Sequence, residues 1–128
     1  MYYIKKNQDH LLVEFKDNFD CNAIRAIIHH VTMLKEYPHM DDIWLFGGHH
    51  ADIRLGDIEI LVNDFSCRCR RDMTRHKKTA FVAELGLTRS IIELWMGASK
   101  KRLPFDLQIF NTLEEAQDWL GIAKEKVA

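Results

Sequence analysis

Short apolar runs alternate along this chain with longer segments in which apolar residues recur at helical spacing. The runs end at glycine or polar residues, as buried strands do. Each longer segment carries one apolar stripe, which is the pattern of a helix packed on a sheet. Strands that alternate with helices need crossover connections, and crossovers place successive strands parallel in one sheet. We therefore expect an α/β fold with a mostly parallel sheet and a helical cover.

The start of the chain departs from this alternation, because two strands follow one another there. Residues 2–6 and 10–16 show period-two patterning, and Asn7-Gln8-Asp9 between them favours a turn, so an N-terminal β-hairpin is predicted. Asp20 and Thr112 are placed to cap the first and last helices. The other predicted elements are helices over 21–36, from 57 to 69, from Leu87 or Thr88 onward and over 113–120, and strands over 43–46, 79–85 and 105–110.

Length and charge limit the classes of function. The 128 residues have the size of one domain, so residues 1–128 are assigned to a single domain. Eighteen basic and nineteen acidic side chains give a net charge of −1, which excludes binding of nucleic acid by bulk positive charge. No apolar run approaches the roughly 20 residues of a membrane span, and the N-terminus lacks a signal-peptide pattern. Three cysteines fit a reducing compartment, so we expect a cytoplasmic protein.

The second half of the sequence resembles a known family. The segments Thr79-Ala80-Phe81-Val82 and Gly86-Leu87-Thr88-Arg89 look like the entry to the third helix of the STAS domain and its SpoIIAA-like relatives. Residues 103–110 and 113–120 are similar to that family's closing strand and helix. The resemblance implies a single-domain STAS-like fold. It also implies a non-enzymatic module that binds a partner protein, a small apolar ligand or a membrane surface.

The resemblance also implies a switch that this sequence lacks. Members of the family that antagonise anti-sigma factors are controlled by phosphorylation of a serine near the start of the second helix. The segment from Gly47 to Asp57 contains neither serine nor threonine. We therefore expect partner recognition without a phosphoserine switch.

The main candidate site lies at the ends of two predicted strands. Ligands of open α/β sheets bind at the carboxyl ends of strands. If the two strands are neighbours, two helix N-termini converge there, which favours an anion such as a carboxylate or phosphate. A purely structural role stays open, in which glycines end strands, a threonine caps a helix and histidines are solvated. The candidate ligand-binding residues are Gly47, Gly48, His49, His50, Gly86, Thr88 and Arg89.

Two rival interpretations remain: a histidine-dependent metal site, structural or catalytic, and a self-associating module. Adjacent His49 and His50 suit a metal site. Cys67 and Cys69 do not, because side chains about 200° apart on a helix cannot share one ion. We assign no metal ligand and no cofactor. Apolar helix faces leave a self-associating homodimer as the other alternative. The candidate nucleophiles lie in no recognised catalytic motif, so we do not expect an enzyme; they are Ser66, Cys67, Ser90 and Ser99.

A basic run stands out against the neutral chain. It is the candidate contact for an anionic membrane surface or an acidic partner. The structural alternative is a helix C-terminus followed by a solvated loop. No aromatic platform accompanies the run, so we expect no specific nucleic-acid recognition. Its members are Arg68, Arg70, Arg71, Arg75, Lys77 and Lys78.

Overall fold

The apolar runs form strands and the striped segments form helices. The computed structural model describes residues 1–69 and 77–122. Its strands are β1 (Tyr2–Lys6), β2 (His10–Phe15), β3 (Phe19–Asp20), β4 (Asp41–Gly47), β5 (Ala51–Asp52), β6 (Lys78–Ala83) and β7 (Asp106–Phe110). Its helices are α1 (Cys21–Thr32), α2 (Leu55–Arg68), α3 (Leu87–Lys100) and α4 (Leu113–Leu120), with a 3-10 turn over Tyr37–His39.

Five of the strands make one mixed sheet in the order β1-β2-β4-β6-β7, so β1 and β7 are its edges. The β1–β2 hairpin is antiparallel, and the other three pairs are parallel. The predicted α/β class, N-terminal hairpin and mostly parallel sheet are confirmed. In the described ranges, no helix is long and apolar enough to cross a membrane.

The two faces of the sheet are covered differently. One face carries the larger core, in which strand residues such as Trp44 and Phe81 pack against buried residues of α1, α2 and α3. The other face carries a smaller core, built by Ile43, Ala80 and Val82 beneath Ala116 of α4. Neighbouring residues of one strand alternate between these faces, as the pleat requires. The sheet is thus the middle layer of three.

Some predicted boundaries are wrong for local reasons. The second helix begins at Leu55 rather than at residue 57, because Asp57 is its third residue and accepts a hydrogen bond from the Arg54 backbone at 2.9 Å. The first helix ends at Thr32 rather than at residue 36. The Thr32 hydroxyl donates back to the Ile28 carbonyl at 2.6 Å, a contact that competes with the regular helical pattern.

Strands β3 and β5 were not predicted. Each has two residues, which is too short for any periodicity to show. They pair in parallel, and the Phe19 backbone donates to the carbonyl of His50 at 3.0 Å. The His50 backbone in turn donates to Asn18 Oδ1 at 2.8 Å. This small second sheet joins the entries to α1 and α2.

A buried ion pair holds the amino-terminal edge of the large sheet. Lys77 Nζ lies 2.6 Å from Asp42 Oδ1, and both side chains are completely buried. The carboxylate also accepts hydrogen bonds from Thr79 Oγ1 and Trp44 Nε1, each at 2.6 Å. Lys77 donates to the carbonyl of Met40 at 2.6 Å as well. These bonds offset the cost of removing two charges from water.

Aromatic and sulfur groups enclose the same pair. Lys77 Nζ lies 4.1 Å from the centroid of the Tyr37 ring, a cation–π arrangement. The Tyr37 hydroxyl lies 4.0 Å from Cys69 Sγ. Burial raises the pKa of the Tyr37 hydroxyl well above its usual value, and burial also raises the pKa of the Cys69 thiol to about 12. Both groups are therefore protonated and neutral at physiological pH.

The buried ion pair predicts that removing one of its two charges destabilises the fold more than removing both. Lys77→Met should lower the free energy of unfolding by about 3–5 kcal/mol, because it leaves the Asp42 carboxylate buried without its cation. Adding Asp42→Asn should recover part of that loss, because the uncompensated charge is removed. Urea denaturation of both variants measures the two values. The control is Lys78→Met, at the half-buried neighbouring lysine; a loss for Lys77→Met no larger than for this control would contradict the prediction.

Candidate functional site

The loop after β4 and the turn after β6 lie side by side, because β4 and β6 are neighbouring parallel strands. The Thr88 hydroxyl donates to the carbonyl of His49 at 3.2 Å and accepts from the Ala51 backbone at 3.2 Å. Thr88 therefore fixes the loop over residues 47–50, which we call the histidine loop, rather than capping α3, whose N-cap is Gly86. Gly47 has a φ of 65°, a left-handed conformation that favours glycine.

Arg89 connects three elements of the fold. Its Nε donates to Glu93 Oε1 at 2.8 Å within α3. Its Nη1 donates to the carbonyl of Ala83 at 3.2 Å and to the side-chain oxygen of Asn111. The side chain is 14% exposed. The guanidinium thus already has partners at the end of β6 and in the turn after β7.

A cavity of about 330 Å³ opens at the carboxyl edge of the sheet, beside the start of α4, and we call it the edge cavity. Two of the seven sequence-predicted site residues, Gly47 and His49, line it. The other five do not, namely Gly48, His50, Gly86, Thr88 and Arg89. Its walls bring together two carboxylates and one imidazole. The lining residues are Glu14, Phe15, Leu45, Gly47, His49, Val82, Glu84, Asn111, Thr112 and Leu113.

The two carboxylates of the edge cavity differ in their partners. Glu14 Oε1 lies 2.6 Å from Lys16 Nζ, so its charge is paired. Glu84 forms no ion pair with any residue of the ranges 1–69 and 77–122. A Cβ added at Gly48 would lie 3.1 Å from Glu84 Oε2, so this exposed carboxylate rests against the histidine loop.

Sequence reasoning missed Glu14, Glu84 and Asn111, although a signal for them existed. Each stands at or just past the carboxyl end of a strand, namely β2, β6 or β7. The rule that selected the Gly47–His50 loop applies equally to these ends. The rule also selects the turn after β6, but the predicted strand runs to residue 85 and so places Glu84 inside it. The ends of β2 and β7 join the site only through the strand order, which the sequence does not show.

A second cavity of about 300 Å³ lies between the first turns of α2 and α3, and we call it the leucine groove. Leu55, Leu87 and Leu94 surround it and are 81%, 70% and 54% exposed. Contiguous exposed apolar surface of this kind marks interaction sites. The complete lining is Ile53, Arg54, Leu55, Ile58, Leu87, Ser90, Ile91 and Leu94.

Three members of the basic run lie in the described residues, and one of them, Lys77, is not at the surface. Lys77 is buried in the ion pair with Asp42, which corrects its assignment to a surface contact. Arg68 hydrogen-bonds to Asp64 at 3.2 Å, and Lys78 lies 5.2 Å from the Trp119 ring centroid. The other members, Arg70, Arg71 and Arg75, lie outside the described residues.

The candidate metal ligands and nucleophiles are also placed. Within residues 1–69 and 77–122, no three His, Cys, Asp or Glu side chains are grouped so as to hold a metal ion. The hydroxyls of Ser66 and Ser90 donate to carbonyls of the preceding turn, those of Asn63 and Gly86. Ser99 is buried, and Cys67 is exposed.

Comparisons of this chain with family models, with curated proteins and with solved structures gave no match. We therefore infer its function from the geometry of the chain itself.

The contacts of Arg89 predict a mainly structural role. Arg89→Met should lower the free energy of unfolding by about 1–3 kcal/mol, because the Ala83 carbonyl and the Asn111 side chain lose their donor. Glu93→Gln is the matched control, since it removes only a half-exposed helical ion pair worth under about 1 kcal/mol. Chemical denaturation compares the two variants. Equal losses for both would show that the contacts of Arg89 with Ala83 and Asn111 contribute nothing beyond the ion pair.

The three cysteines should differ in reactivity. With a pKa of about 12 the Cys69 thiol is ionised in only about one molecule in ten thousand at pH 8, whereas Cys67 is exposed. Burial raises the pKa of Cys21 as well. Ellman's reagent should therefore modify Cys67 first, and Cys67→Ser should remove that fast phase. A fast phase that survives Cys67→Ser would contradict this order.

Proposed function

We propose that this protein is a non-enzymatic binding module of STAS-like, SpoIIAA-like type that recognises a partner protein through the leucine groove. The element order supports this architecture: an N-terminal hairpin is followed by helices that alternate with parallel strands. The placement of α1, α2 and α3 on one face and of α4 on the other supports it too. Recognition does not use a phosphoserine in the 47–57 segment, which has no hydroxyl side chain.

The observation that carries this proposal is the exposure of three leucines around one groove. Burying a leucine side chain contributes about 1.5–3 kcal/mol, so covering Leu55, Leu87 and Leu94 supplies a substantial part of a binding free energy. Leu55 is the first residue of α2, Leu87 is the first residue of α3, and Leu94 lies in the middle of α3. A groove between two helices suits an amphipathic helix of the partner.

The charge beside the groove specifies the partner further. Among the described residues that line the groove, Arg54 is the one that carries a formal charge. It forms no ion pair with any residue in the described part of the chain. The partner is therefore an amphipathic segment that combines apolar side chains for the groove with a carboxylate for Arg54.

A small-ligand site at the edge cavity is the second candidate function. The cavity opens where the strands β2, β4 and β6 end, which is the usual ligand position in open α/β sheets. His49 and Glu84 line it, and their side chains form no hydrogen bond or ion pair with the residues that the structure describes. The leucine groove lies between α2 and α3 on one face of the sheet, and the edge cavity lies beside α4 on the other face. The two candidate functions therefore use different surfaces.

A leucine variant tests the partner proposal. Proteins captured by the immobilised chain are identified, and a purified captured protein is then titrated calorimetrically. We expect Leu87→Asp to raise its Kd at least about tenfold, because a charge replaces an anchoring side chain. Met33→Asp is the control, because Met33 is 72% exposed at the far end of α1.

Two outcomes would contradict partner docking at this groove. One is an unchanged Kd for Leu87→Asp. The other is a homodimer, seen by light scattering of the isolated chain, that Leu87→Asp dissociates. The second result would assign the groove to another copy of the chain instead.

A further inference from the structure

We infer that the edge cavity binds a small primary amine or guanidine carried on an apolar body, with Glu84 as the counter-ion. The lining includes two carboxylates, and no lysine or arginine of residues 1–69 and 77–122 contributes to it. A negatively charged ligand meets repulsion there, and a positively charged one meets attraction. The inference rests on the second candidate function, ligand binding at this cavity, and is independent of docking at the leucine groove.

The polarity of this cavity is opposite to the anion site expected from the sequence. That expectation depended on Arg89 and on helix N-termini. The Arg89 guanidinium is held by Glu93, Ala83 and Asn111 and does not line the cavity. The helix that begins at the cavity is α4, whose first turn carries Glu114 and Glu115. Their charges offset the positive end of the α4 dipole.

Glu84 is the carboxylate available to a ligand. Glu14 is already paired with Lys16, whereas the Glu84 carboxylate lies against Gly48 and has no cationic partner in the described ranges. His49 is half-buried beside it in the lining, with its ring against Gly47. An imidazole nitrogen can accept a further N–H from an ammonium or guanidinium group.

The rest of the lining suits a hydrocarbon body. Leu45, Val82 and Leu113 line the cavity and belong to the smaller core beneath α4. Apolar walls with a few polar groups are typical of small-molecule sites. The volume of about 330 Å³ is roughly twice that of a cavity that accommodates benzene. An aromatic or short aliphatic amine therefore fits.

Three probes with one body and different charge test the inference: phenethylamine, 2-phenylethanol and 3-phenylpropionate. Each is titrated into the full chain while amide shifts are followed by NMR. We expect phenethylamine to bind in roughly the millimolar range, as small ligands do. Its affinity should exceed that of 2-phenylethanol about fivefold, with 3-phenylpropionate the weakest. The shifts should include the amides of Gly48, His49, Glu84 and Leu113.

Variants identify the counter-ion. Glu84→Gln should lower the affinity for phenethylamine about fivefold and leave that for 2-phenylethanol unchanged, because only the charge is removed. Gly48→Ala should also weaken amine binding, since its new Cβ displaces the Glu84 carboxylate without altering its charge. Glu59→Gln is the control, because Glu59 is an exposed carboxylate of α2 that does not line the cavity.

These experiments distinguish failure of the amine inference from failure of the ligand site itself. Tighter binding of 3-phenylpropionate with shifts at the same amides would overturn the amine inference and keep the ligand site. An affinity for phenethylamine that Glu84→Gln does not change would also overturn the inference. If no probe shifts these amides up to about 10 mM, both the inference and the ligand site fail. None of these results bears on Leu87→Asp and the leucine groove.

Discussion

The ion pair between Asp42 and Lys77 is the constraint on which the rest of this structure depends. A buried charge without its partner is strongly destabilising, so the two side chains must meet. Their meeting fixes the register of β4 against β6, because Asp42 lies opposite Thr79 and accepts its hydroxyl. A slip of one residue would turn every side chain of β4 to the opposite face, Trp44 included.

The register set at the amino-terminal edge determines what meets at the carboxyl edge. After a local irregularity between Leu45 and Gly47, Gly47 lies opposite Ala83. The histidine loop and the turn that contains Glu84 therefore leave the sheet side by side. From this one edge, the edge cavity opens on the face of α4, and the leucine groove lies between α2 and α3. A rigid sheet thus presents two chemically different surfaces.

The sequence predicts those features that depend on neighbouring residues. Period-two and helical patterns predicted the hairpin and the helices, and Asp20 caps α1 as expected. Contacts between residues that are far apart in the chain leave no such local pattern, so the sequence does not predict them. Lys77 belonged to a basic run by composition, yet its partner Asp42 is 35 residues away. The predicted start of α2 is two residues late because its N-cap is Arg54, an unusual capping residue. Glu14 and Glu84 line the same cavity because β2 and β6 flank β4, which only the strand order shows.

The two edges of the sheet also have a consequence for aggregation. An unpaired edge strand is a template on which another chain can add a strand, and charged side chains discourage that addition. Here β1 exposes Lys5 and Lys6, and β7 exposes Asp106 and Gln108. Both ends of the sheet are therefore poor nuclei for fibril growth. Because growth at the edges is discouraged, the chain can expose leucines on its helices while its backbone remains protected from indiscriminate pairing.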